Sequence, residues 1–152
     1  MDYWLFKSEP DVFGIDHLKR DMTCYWDGVR NYQARNFLRD QVKVGDQVFI
    51  YHSSCKQVGI AGLAKVIEAG TPDPTQFNPE EKYHDPKSSP DNPRWYQVRL
   101  EFVEKYKKVL PLAEIKARPE ITELALAKKG NRLSVMPVVE TEFNTLLNFC
   151  TK

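Results

Sequence analysis

The chain has 152 residues, of which 41% are hydrophobic, 28% charged and 12% aromatic. That is enough apolar material for one core without disulfide or metal staples, and a single domain over 1–152 is expected. The 22 basic and 21 acidic residues leave a formal charge of +1, which excludes a uniformly basic polyelectrolyte binder while allowing a locally basic face. No stretch approaches the roughly 18 apolar residues of a membrane-spanning helix. The opening MDYWLFK lacks the basic-then-apolar pattern of a secretory signal. Cys24, Cys55 and Cys150 form an odd, widely spaced set that reads as reduced thiols. A cytoplasmic protein is expected (nuclear if eukaryotic), with no membrane partner and a monomer assumed.

Residues 3–7 read as a short aromatic strand, closed by Lys7-Ser8-Glu9-Pro10 because proline leaves the ladder. A short helix is predicted at 16–21. Trp26-Asp27-Gly28 sets a large aromatic beside a glycine turn. Asn31 can then cap a helix over 32–41, whose Ala34, Phe37, Leu38 and Gln41 share a face. The turn Val44-Gly45-Asp46 leads into a strand at 47–52 that ends on Tyr51-His52-Ser53. Residues 58–69 read as a long strand in which Gly59 and Gly62 mark a bulge or a close approach.

Residues 71–93 hold six of the ten prolines. A long functional loop is predicted there, neither helix nor central strand, pinned at Phe77 and Tyr83. Residues 94–103 alternate, with Tyr96, Val98, Leu100 and Phe102 facing one way. Shorter strands are predicted at 108–112 and 133–138, weak helices at 113–116 and 121–129, and a final helix at 141–150. Strands interrupted by helices at irregular intervals predict class α+β: a mixed β-barrel or strongly curved sheet of about five to six strands with peripheral short helices.

The charge is uneven. Residues 17–43 carry six Lys/Arg against three acids, and residues 105–132 carry eight against three. These are two solvated faces or two basic edges of a cleft. Arg30, Arg35 and Arg39 at one edge, and Lys128, Lys129 and Arg132 around Gly130 at the other, are candidate phosphate contacts.

Chemical motifs are scarce. There is no nucleophile elbow, phosphate-cradling loop, dinucleotide fingerprint or zinc-helix motif. His52-Ser-Ser-Cys55, with Cys24 or His84, is the nearest approach to a metal site, and one short pair does not make one. His52 and Cys55 could be drawn as base and nucleophile, but no third group orients them. No cofactor or metal is expected, and the balance is against an enzyme.

Polar residues at strand ends and helix starts remain, beside Trp26 and Trp95. The segments YWLFKSEP at 3–10, WDGVRNYQARNFLRD at 26–40, GDQVFIYHSS at 45–54, GIAGLAKV at 59–66, PDPTQF at 72–77, YHDPKS at 83–88, NPRW at 92–95 and RLSVMPV at 132–138 together resemble the EVE domain family. Val139 departs from the Ser or Thr that would more usually cap the last helix. The resemblance implies a PUA-like pseudo-barrel and binding of nucleic acid carrying a modified base, chiefly modified cytosine in DNA. Lys7, Ser8 and Trp26 match a base-accepting pocket of the related YTH domains. An aromatic face stacking on an extruded base is worth about 1–3 kcal/mol. The expected wall is Trp26 with Trp95 or Tyr51. The expected polar edge is Ser8, Asp27, Asn31, Ser53 and Ser134, with Gly28 allowing close approach. Arg30, Arg35, Lys128, Lys129 and Arg132 are expected to hold phosphates. A general RNA-binding module and an enzyme acting on a modified base or nucleotide are the alternatives.

Overall fold

A computed structural model describes residues 1–151. Its centre is a six-stranded sheet in the order β2-β5-β4-β3-β1-β6. The strands are β1 (Tyr3–Ser8), β2 (Thr23–Trp26), β3 (Gln47–His52), β4 (Gly59–Pro72), β5 (Tyr96–Pro111) and β6 (Val135–Val138). β1 and β3 run parallel, and the other neighbours are antiparallel.

Both sheet faces are covered, so β1 and β3 read as nearly unbroken apolar runs. On one face Trp4, Phe6, Val48 and Ile50 pack with Ile15 and Leu18 of α1 (Ile15–Asp21) and Ala34 and Leu38 of α2 (Tyr32–Asp40). On the other, Leu5, Phe49 and Tyr51 pack with Ile115 of α3 (Leu112–Ala117) and Phe143 and Leu146 of α4 (Glu140–Cys150). Two polar residues, buried Asp46 and exposed Asn31, fix the chain around them. Asp46 accepts from Trp4 Nε1 at 3.0 Å and from the Asp2 and Lys43 amides. Asn31 caps α2 by accepting from the Ala34 amide at 3.0 Å.

The departures from the sequence reading have local causes. β2 is too short for a period-two pattern and forms by pairing with Val98–Glu101 of β5. The strands predicted at 94–103 and 108–112 are one strand, β5, whose ladder shifts register without a turn. Residues 121–129 are not an α-helix, and only Ala125–Ala127 make a 3₁₀ turn. The buried Glu142 carboxylate of α4 instead takes the amides of Thr122, Glu123 and Leu124 at 2.9–3.0 Å. In the proline-rich segment, Pro74–Phe77 makes a 3₁₀ turn capped by Asp73. Pro74 opens it, where its missing donor is harmless. Val139 provides no side-chain cap for α4, whose first turn carries Glu140 and Glu142.

At the end of β3, His52 Nε2 accepts from the Ile15 amide at 3.1 Å and holds the start of α1. Only a neutral imidazole can do this. Burial lowers the His52 pKa from 6.5, with Lys105 and His17 acting in the same sense against Asp16. Below 6.5 the unfolded chain therefore takes up a proton that the folded chain resists, and stability falls as the solution is acidified. Thermal melts are expected to show a lower midpoint at about pH 5.5 than at about pH 7.5. His52→Gln, which keeps an acceptor, should shrink that difference. An unchanged difference would remove His52 as its source.

Candidate binding pocket

The ends of β1 and β3 meet the start of β6 and the end of β2. The Lys7 amide donates to the Ser134 carbonyl, and the Ser53 amide to the Ser8 carbonyl, both at 2.8 Å. These bonds gather Lys7, Ser8, Ser53 and Ser134 along one side of a recess of about 630 Å³. Trp26, Asp27, Gly28 and Phe13 form further wall, and Lys82, Tyr83, Arg30 and Arg132 stand around it.

Trp26 is 7% exposed. Its ring packs against Phe6 at 5.4 Å between centroids and against Phe13 at 5.9 Å, nearly perpendicular. It therefore belongs to the core and lends the recess part of its surface. The Ser8 hydroxyl is buried and has no hydrogen-bond partner among the described residues. Burial lowers the Lys7 pKa, and its ammonium lies 5.9 Å from the centroid of the Tyr51 ring. Asp27 titrates above its ordinary value because surrounding protein withdraws water from its carboxyl and the Asp73 charge adds to the effect.

The proline-rich segment is fastened beside this recess by one buried carboxylate. Asp73 accepts from the Gly28 amide at 2.8 Å, Arg30 Nη1 at 3.0 Å, the Thr75 amide at 2.8 Å and the Thr75 hydroxyl at 2.6 Å. Gln76, also fully buried, donates to the Asp73 and Trp95 carbonyls and accepts from the Arg94 and Trp95 amides. Trp95 Nε1 closes the network on Asp85 at 2.7 Å. Tyr83 is thereby laid over Gly28. Gly28 has φ +75°, and a methyl there would lie 2.7 Å from Tyr83 Cε2, so backbone and packing both require glycine.

Of the expected base-binding residues, Lys7, Ser8, Trp26, Asp27, Gly28, Ser53 and Ser134 line the recess. Three do not. Asn31 is spent on capping α2. Trp95 is buried, stacked on Tyr32 at 4.8 Å and tied to Asp85. Tyr51 lies in the core, its hydroxyl pushed up to about 12 by burial, and lines a neighbouring hollow of about 370 Å³ rather than the recess.

The expected phosphate contacts also divide. Every Arg30 guanidinium nitrogen is engaged internally, on the Tyr83 and Val29 carbonyls, Asp73 and Thr75. Arg35 donates to the Arg94 carbonyl at 2.6 Å and to Asn36, and lies 4.9 Å from the Tyr32 ring centroid. Arg30 staples the proline-rich segment to the turn before α2, and Arg35 ties α2 to Arg94, the residue that follows the segment. Arg132 reaches the recess, while Lys128 and Lys129 border the smaller hollow with Lys7, Ser53 and Lys116.

Phe13 and Lys82 are recess residues that the sequence reading passed over, and Tyr83 appeared there only as a loop anchor. Phe13 follows a proline turn with no periodic signal. Among the described residues, no group of three or more His, Cys, Asp or Glu side chains could hold a metal ion. His52 Nε2 is occupied by the Ile15 amide. Burial pushes the Cys24 and Cys150 thiols up to about 12, away from nucleophilic use.

A mixed sheet with a polar recess at its strand ends, closed in by a folded loop, is the arrangement of a PUA-like domain. The chain belongs to the EVE domain family, which it matches over residues 2–149. It is 42% identical to human thymocyte nuclear protein 1 over 165 residues, covering 96% of this chain and 72% of that protein. A crystal structure of a Pseudomonas syringae protein superposes with a TM-score of 0.94 at 46% identity, covering 97% of this chain and 98% of that one. The human THYN1 protein, crystallised in complex with 5-methylcytosine-containing DNA, superposes with a TM-score of 0.89 at 42% identity, covering 100% and 99% of the two chains.

Proposed function

We propose that this chain is a non-catalytic reader of a modified nucleobase, with 5-methylcytosine in DNA as its ligand, taken out of the stack into the recess. The observation that carries the reading is the buried Ser8 hydroxyl, unpartnered among the described residues, in a recess that also holds an aromatic wall. A buried polar group without a partner is costly to the fold, and a base edge would satisfy it. The human relative bound to 5-methylcytosine-containing DNA supports the choice of base and polymer.

The recess offers each part of a cytosine a partner. Asp27 can accept from the exocyclic amine. Ser8, Ser53 and Ser134 hydroxyls can address the ring nitrogen and carbonyl. Trp26, Phe13 and Tyr83 supply apolar surface for the ring and its methyl. A methyl group in an apolar pocket is worth about 1–3 kcal/mol, or about 10–200-fold. Arg132 at the rim, with Lys128 and Lys129 on the neighbouring hollow, supplies positive charge for the flanking phosphates. A reader of this kind acts where the genome lies, in the cytoplasm of a bacterium or the nucleus of a eukaryote.

Ser8→Ala removes one hydroxyl that the fold leaves unused. It is expected to leave the thermal midpoint unchanged or slightly raised and to weaken binding of 5-methylcytosine DNA about tenfold, by fluorescence titration. Unchanged affinity would take Ser8 out of the base contact. A preference for ribose over deoxyribose in the same titration would replace DNA by RNA as the partner.

A further inference from the structure

A second groove, of about 960 Å³, adjoins the recess along the chain: Pro10 and His52 line the groove, and their neighbours Glu9 and Ser53 line the recess. Four lysines border it, Lys56, Lys105, Lys107 and Lys108. Asp16 is its one acidic lining residue and is already paired with Lys105 at 2.6 Å. Among the described residues, Lys56, Lys107 and Lys108 have no carboxylate at ion-pair distance.

The fold gathers these lysines by a specific irregularity. Ile60 of β4 pairs with Leu110 of β5, yet Gly62 pairs with Lys105, so two steps along β4 answer to five along β5. The surplus residues leave the ladder as an extended bulge. In a regular strand Lys107 and Lys108 would point to opposite faces. Here both join Lys105 on the groove, and Tyr106, which also lines it, stays buried at 4% exposure and anchors the bulge. Among the described residues only Lys105 of these four has an acidic partner, the other three repel one another, and core packing gives no reason for them.

We infer that this lysine groove carries the phosphodiester backbone of the DNA that delivers its base to the recess. The inference rests on the base-reading proposal above for the identity of the strand. Lysines are point charges that suit phosphates without reading sequence. The groove also supplies cations that Arg30 does not, since every Arg30 guanidinium nitrogen is engaged within the chain, while Arg35 is held on the Arg94 carbonyl and Asn36.

The test compares Lys107→Ala/Lys108→Ala with the unaltered protein on two probes. One is a duplex of roughly 15 base pairs carrying 5-methylcytosine, long enough to reach the groove. The other is a trinucleotide with the same central base, which carries too few phosphates to leave the recess. The double variant is expected to bind the duplex about tenfold more weakly and to lower the slope of log K against log salt by about 1.8, or about 0.9 per lost phosphate contact. Trinucleotide affinity should not change. Lys56→Ala, on a separate segment, should lower the slope by about 0.9. Lys43→Ala, exposed and outside the groove, should not alter it.

An unchanged slope in the double variant would overturn the inference. So would an equal fall in Lys43→Ala, which would reduce the effect to net charge, or an equal loss on the trinucleotide. The two proposals fail separately. A lowered slope in a protein that does not distinguish 5-methylcytosine from cytosine supports the groove and removes the base reading. Intact discrimination with an unchanged slope does the reverse.

Discussion

Asp73→Ala is expected to destabilise the protein by about 3–5 kcal/mol, the range for removing one partner of a buried ion pair. Four donors lose their acceptor at once: the Gly28 amide, Arg30 Nη1, and the amide and hydroxyl of Thr75. The carboxylate sits below its ordinary 3.8 although burial opposes ionisation, because the Thr75 hydroxyl, the Gly28 amide and Arg30 favour the charged form. Its stabilisation is thus full above 3.8 and is lost as pH falls through the lower folded value. Urea denaturation of Asp73→Ala and Asp73→Asn checks this. Asparagine keeps the shape and one acceptor and should cost less. A loss below about 1 kcal/mol in Asp73→Ala would mean that the proline-rich segment folds independently of this carboxylate. The same variant should weaken DNA binding, because Tyr83 and Gly28 lose the anchor that sets them beside the recess.

Trp26→Ala is expected to act twice. Deleting a buried tryptophan costs about 3–5 kcal/mol through lost packing and the cavity left behind. It also removes a wall of the recess, where stacking contributes about 1–3 kcal/mol per base. Trp26→Phe separates the two effects. It keeps contact with Phe6 and Phe13 and should remain folded at 25 °C, by circular dichroism, while binding 5-methylcytosine DNA about tenfold more weakly. A folded Trp26→Phe with full affinity would leave Trp26 a core residue alone.

The elements most readable in the sequence are those set by local physics. β1 and β3 declare themselves as apolar runs because both of their faces are buried. α2 declares itself through Asn31 and the spacing of Ala34 and Leu38. β2 and the 3₁₀ turn at Ala125–Ala127 depend on partners far along the chain, Leu100 opposite Cys24 and Glu142 beneath Leu124. No local window contains that information. The same limit divides the site residues. Ser8, Ser53 and Ser134 could be picked out because polar residues at strand ends have few packing roles. Asn31 and Trp95 carry the same polar and aromatic groups, yet one caps a helix and the other is held by Asp85. Arg30 has the look of a phosphate contact until Asp73, 43 residues on, is seen to hold it.

The most direct measurement is a fluorescence titration of the unaltered protein against matched DNA strands that differ only in the 5-methyl group of one cytosine, at two salt concentrations. A base reader binds the methylated strand at least about tenfold more tightly, by a ratio that persists as salt weakens both. Equal affinities that fall together with salt would contradict base reading and reduce the interaction to phosphate contacts.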